Sequence, residues 1–200
     1  MKTLILSIFL LAIFSNVQSQ GYSIGDRAED FKLLNIDGNH VSMSDYPEAK
    51  GIIVIFTCNH CPYAKKYEQR IIDLDKKYKS QGYPVIAINP NDPKVVAADS
   101  YDKMKERARE RGFTFPYLFD AKQKVYPVYG AKKTPHVYLL KKSGNDFHVA
   151  YIGAIDNNYS DADKVTEKYL ENAIEALQEN KNPDPAVTKA IGCSIKTRKK

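Results

Sequence analysis

Cys58 and Cys61 bracket the tetrapeptide Cys58-Asn59-His60-Cys61, directly after a run of branched and aromatic residues from Ile52 to Phe56. That run reads as a buried strand, and the residues after Cys61 read as an amphipathic helix. Two thiols at this spacing between a buried strand and a helix form a redox-site arrangement, able to close a disulfide across one turn. Cys58 is expected at the helix start, where unpaired N–H groups and the positive end of the macrodipole favour a thiolate. A purely structural bridge is the weaker reading, because so small a loop constrains the unfolded chain little. Cys193 is the third cysteine of the chain, and an odd thiol of this kind is either an exchanging partner or a free or buried residue.

The surrounding elements follow from periodicity and turn chemistry. Phe31–Ile36 and His40–Met43 flank Asp37-Gly38, a hairpin signal. After the cysteines, Tyr63, Tyr67, Ile71, Leu74 and Tyr78 recur at helical intervals up to Gly82, with Pro62 tolerated in the first turn. Pro84–Asn89 is a second apolar strand, which makes strand–helix–strand and hence parallel pairing. Ser100 can cap a helix reaching Arg111, whose charged residues are expected to face solvent. Phe113–Asp120 reads as extended, and Ala121–Tyr129 as a short helix interrupted at Pro127. His136–Leu140 and Phe147–Ile152 form a hairpin through Ser143-Gly144-Asn145, and residues 163–179 form the last helix. No internal repeat or linker divides the chain.

With 200 residues, 43% hydrophobic and 27% charged, the composition is that of one folded domain. The net charge of +6 is partly local, since four of the last five residues are basic. Residues 196–200 are therefore expected to be a solvated, frayed tail, and no nucleic-acid motif accompanies them. Lys2, the apolar stretch Leu4–Phe14 and the small residues before Gln20 read as a signal peptide over residues 1–19. Its apolar core is too short for a comfortable membrane span. The expected organisation is a signal peptide (1–19), one domain (20–195) and a basic tail (196–200). Export to a periplasmic or extracellular space follows, with no stable membrane insertion after cleavage, and a monomer is expected.

Gly25–Phe31, Cys58-Asn59-His60-Cys61-Pro62, Thr134-Pro135, Gly153-Ala154-Ile155-Asp156 and Gly192–Lys196 together resemble the thioredoxin-like superfamily. Within it the chain is similar to a peroxiredoxin-like redoxin subgroup carrying a thioredoxin-type cysteine pair. The resemblance implies an α/β thioredoxin-like fold, a central mixed sheet flanked by helices, here with an N-terminal hairpin. It implies thiol–disulfide exchange with protein thiols or disulfides and an unidentified redox partner, without an organic cofactor. Cys58 would be the exposed nucleophile and Cys61 the more buried resolving thiol. Asn59 and His60 would tune the potential. Pro135 would be a cis-proline, with Thr134 offering backbone groups to an extended substrate strand. By analogy, His60 would make the pair more oxidising than thioredoxin, whose potential is roughly −270 mV against about −120 mV for a strong periplasmic oxidant.

The family patterns also diverge here. Ile52 stands where thioredoxin carries its buried acid, so a general base must come from elsewhere. Cys58 stands where peroxiredoxins place the threonine that orients peroxide, which argues against the alternative of a thiol peroxidase. A further alternative is a copper- or zinc-binding chaperone using Cys58, Cys61, His60 and His136, whose donor types fit but whose count and spacing do not.

Overall fold

The computed structural model describes residues 21–198. The signal peptide expected over 1–19 lies outside the described residues, as do Lys199 and Lys200. Among the described residues, no helix is long and apolar enough to cross a membrane.

The sheet is built on β3 (Gly51–Phe56), whose six residues are all buried. It pairs in parallel with β4 (Val85–Asn89) and antiparallel with β7 (His136–Ser143). Outward from β4 lie β5 (Tyr117–Phe119), β1 (Lys32–Asn35) and β2 (His40–Ser42); outward from β7 lies β8 (Asp146–Gly153). The result is a seven-stranded mixed sheet in the order β2-β1-β5-β4-β3-β7-β8. A separate two-stranded ladder joins β6 (Lys133–Thr134) to β9 (Cys193–Ser194).

Side-chain alternation along β3 divides the core. Ile53 and Ile55 face a layer made by α1 (Pro62–Tyr78), α2 (Tyr101–Arg111) and α4 (Tyr169–Gln178). Ile52, Val54 and Phe56 face the opposite layer, which the N-terminal segment and α3 (Val125–Tyr129) cover through Phe31, Met43 and Tyr129. Each such burial contributes about 1.5–3 kcal/mol relative to exposure. One contact ties two helices together: Glu68 of α1, almost wholly buried, accepts both arms of the Arg107 fork at 2.7 Å and Arg111 at 3.0 Å. Arg107, expected to be part of a solvated face, is thus a clamp between α1 and α2.

Two other expectations change. The last helix begins at Tyr169, not near residue 163. Asn157 Oδ1 accepts the N–H groups of Thr166 and Glu167, holding the preceding chain in a loop, and Asp161 caps only a short 3-10 turn over Ala162–Lys164. Lys196–Arg198 is not frayed: Lys196 donates its N–H to Asn91 Oδ1, its carbonyl accepts from Asp92, and Arg198 pairs with the Asp92 carboxylate at 2.5 Å. Backbone bonds and the Arg198–Asp92 pair anchor this segment, while the Arg198 side chain stays more than half exposed. Ser100 stands at the N-cap of α2, although its side chain makes no capping hydrogen bond.

His136 opens β7, and its Nδ1 accepts the Lys132 N–H at 3.3 Å, a role that requires the neutral ring. Burial first, and Lys132 second, hold it down to about pKa 4. A folded-state value below the unfolded one means the unfolded chain takes the proton first. Its stabilisation is therefore complete above the unfolded value of about 6.5 and is lost as pH falls towards 4, by on the order of 2–3 kcal/mol. We expect His136→Gln to flatten this part of the stability profile, read as denaturant midpoints between pH 7 and pH 4.

Candidate active site

At the carboxyl end of β3 the chain leaves the sheet through Thr57, whose N–H still bonds to the Ile88 carbonyl. Cys58, Asn59 and His60 form a turn, and α1 starts only at Pro62. Proline disfavours helical backbone in the residue before it, so Cys61 is extended (φ −67°, ψ 123°) and becomes the N-cap. This corrects the expected placement: Cys61, not Cys58, sits at the positive end of α1. Nor is Cys58 exposed, at 3% against 0% for Cys61.

Thr134 binds both sulfurs. Its Oγ1 lies 3.2 Å from Cys58 Sγ, and its carbonyl accepts the Cys61 thiol at 3.2 Å. The following Pro135 is cis and buried. All three cysteines are free thiols, and Cys193 packs against the Cys58–Cys61 cluster.

The Cys58 S–H donates to Cys61, which pulls the Cys61 thiol below its usual range, assisted by Cys193 and the Ala64 N–H. That same donation, with burial and the Asp99 charge, pushes Cys58 up. The Thr134 carbonyl favours the protonated form of Cys61, but the donors and the helix N-terminus outweigh it. Burial, then the neighbouring Cys61, raises Cys193 to about 11.

The acid missing from position 52 arrives from another loop. Asp99, fully buried, precedes α2 and reaches across to the cysteine turn. Its Oδ1 accepts the N–H groups of Asn59 (2.8 Å) and His60 (3.1 Å). Its Oδ2 lies 2.5 Å from His60 Nδ1 and accepts Asn91 Nδ2 at 2.7 Å. His60 Nδ1 is in turn 3.6 Å from Cys58 Sγ. Because the imidazole is paired with a carboxylate, its electrostatic pull on the thiols is offset, which weakens the expected oxidising bias. Asn59 points away from the sulfurs, donating to the Ala98 carbonyl and accepting from Tyr117 Oη.

Sequence reasoning named Cys58, Asn59, His60, Cys61, Thr134 and Pro135, and the structure places all six in this one region. It missed Asp99 and Asn91. The available signal was topological: the loop after a strand parallel to β3 must emerge beside the cysteine turn, and this one carries Asn91, Asp92 and Asp99. The metal donor set changes likewise. Cys58, His60 and Asp99 offer ligand atoms within 4.8 Å of one another, whereas His136 bonds to Lys132. Asp99 already accepts four hydrogen bonds, so an ion here would have to displace partners that hold the turn.

The mixed sheet with its cysteine turn at the end of β3 and a cis-proline opposite is a thioredoxin-like fold. A thiol:disulfide interchange protein of the thioredoxin family from Chlorobium tepidum superposes with a TM-score of 0.56 at 17% identity, covering 72% of this chain and 95% of that one. A conserved protein from Geobacillus kaustophilus is much nearer, with a TM-score of 0.82, 34% identity and coverage of 91% and 96%. Residues 24–146 match the AhpC/TSA family, and the chain belongs to that family. Among its relatives is the thiol-disulfide oxidoreductase ResA of Geobacillus kaustophilus, 30% identical over 150 residues, 72% of this chain and 82% of that protein.

Removing the Asp99 carboxylate orphans two backbone donors beneath the thiols. Asp99→Ala is expected to cost about 2–4 kcal/mol, and Asp99→Asn less, in urea unfolding. Equal midpoints for wild type and Asp99→Ala would refute the assigned role.

Proposed function

We propose that this protein is an exported thiol–disulfide oxidoreductase that exchanges disulfides with protein substrates through Cys58 and Cys61. The observation that carries the reading is the placement of two thiols in mutual contact on Thr134, with Cys61 capping α1. Relatives named as thiol-disulfide oxidoreductases support the class. The apolar leader of residues 4–14 supports export.

We assign the two cysteines roles opposite to those the resemblance implies, a reading supported by Cys61 standing at the N-cap of α1 with Cys58 beside it. Cys61 holds the thiolate and attacks a substrate disulfide, releasing one substrate thiolate and leaving a mixed disulfide on Cys61. Cys58 then gives its proton to His60 Nδ1 as the Nδ1 proton shifts onto Asp99 Oδ2, and attacks the Cys61 sulfur. The second substrate thiolate leaves, and Cys58–Cys61 closes. One disulfide is reduced and one formed, so electrons balance. A His–carboxylate pair beside the second attacker supplies the base that Ile52 cannot. Asn59 holds the turn rather than touching sulfur, and the Thr134–Pro135 edge forms the wall of the site.

Insulin-disulfide reduction tests the activity. Cys61→Ser, and Cys58→Ser combined with Cys193→Ser, are expected to abolish turnover; retention of turnover by either would sink the assignment. In a Cys193→Ser background, Cys58→Ser should also accumulate a mixed disulfide with substrate on Cys61, whereas Cys61→Ser should trap at least about tenfold less. Trapping by Cys61→Ser instead would restore Cys58 as the attacking thiol.

A further inference from the structure

Both cysteines of the pair are buried, Cys58 at 3% and Cys61 at 0% exposure, so a partner reacting with Cys61 directly must first displace what covers it. What lies beside them is the C-terminal strand β9. It pairs antiparallel with β6 in the register Lys133↔Ser194 and Thr134↔Cys193, and the Ile195 N–H continues the ladder to the Lys132 carbonyl at 3.3 Å. This is the backbone edge beside the cis-proline on which an extended substrate strand would lie. The approach is close. A Cβ at Gly192 would fall 2.2 Å from the Thr134 carbonyl oxygen, so only glycine lets the strand seat. The seat is also locked downstream, where Asn91, Asp92 and Gln123 hold Lys196 and Arg198. Of the three sulfurs, only Cys193 belongs to a residue that is not buried, and it touches Cys61.

We propose that β9 is a built-in substrate strand and that Cys193 is a relay thiol, exchanging with Cys61 to carry the disulfide between the buried pair and the outside. This rests on the thiol–disulfide reading above. The exchange starts from the Cys58–Cys61 disulfide. Cys193 loses its proton to water and attacks Cys61 Sγ. The Cys61–Cys193 bond forms, the Cys58–Cys61 bond breaks, and Cys58 leaves as a thiolate that takes up a proton from the His60–Asp99 pair. One disulfide is exchanged for another with no net electron transfer. An external thiolate can then attack the accessible Cys193 sulfur, freeing Cys61 and leaving a mixed disulfide on Cys193. A second thiol of the same partner resolves it, so the partner leaves oxidised and Cys193 reduced. Run backwards, the same steps load the pair from a partner disulfide. The sulfur of Cys61 is the shared member of both disulfides, and its central position between Cys58 and Cys193 is what the geometry supplies.

The test uses the full chain in two variants, each oxidised with diamide, alkylated, digested and mapped by mass spectrometry. In Cys58→Ser, a Cys61–Cys193 linkage within one chain is expected as the main disulfide. Recovery of Cys193 as the alkylated free thiol, or of Cys61 only in disulfides between chains, would overturn the proposal. In Cys193→Ser, formation of Cys58–Cys61 reports on the pair alone. If that linkage forms while Cys58→Ser yields none within the chain, the relay fails and the oxidoreductase reading stands. If it does not form, the underlying reading fails. With the relay in place, Cys193→Ser should slow disulfide exchange with insulin about tenfold or more while Cys58–Cys61 still closes; an unchanged rate would remove the relay.

Discussion

A single buried carboxylate organises the reactive end of this molecule. Asp99 takes both backbone N–H groups of the cysteine turn on one oxygen, and the imidazole and an asparagine amide on the other. A buried charge is tolerated only where such partners surround it, so the turn and the acid stabilise one another. The N–H groups of Asn59 and His60 are thereby spent before α1 begins. Pro62 completes the effect by excluding Cys61 from the helix, and the dipole of α1 is left to act on Cys61. These two constraints add to the Cys58 hydrogen bond that lowers the Cys61 thiol.

The opposite wall is made of backbone. Thr134 presents a hydroxyl to one sulfur and a carbonyl to the other, and on its far side it pairs with β9. The same residue therefore meets the acid-supported turn, the cis-proline and the C-terminal strand. His60 is the member whose influence is least like the resemblance implied. A histidine next to thiolates favours their charged form, but here its ring nitrogen is 2.5 Å from a carboxylate, which offsets that pull.

Most of the scaffold was legible because it depends on local patterns. The apolar runs at Ile52–Phe56 and Val85–Asn89 gave the parallel pair, Asp37-Gly38 gave the first hairpin, and Gly112 ended α2 in a left-handed conformation. The start of α4 was misread because Val165 keeps a helical interval while Asn157 captures the backbone ahead of it. In the site, residue types were legible but their ranks were not. That Cys61 rather than Cys58 caps α1 is written in Pro62, whose effect on its predecessor outweighs the helical spacing. Asp99 was hidden because it is 38 residues from Cys61 and belongs to the turn only through the adjacency of β3 and β4. Cys193 lies still further along the chain, and only the β6–β9 ladder brings it to Cys61.

The Glu68 clamp has a consequence for how the site keeps its shape. Cys61 caps one end of α1, and Asp99 immediately precedes the Ser100 cap of α2. Glu68 locks those two helices together through Arg107 and Arg111. Cys61 and Asp99 are thus mounted on two rods bolted to each other away from the sulfurs. Their separation is therefore constrained by that frame as well as by the hydrogen bonds of the turn itself.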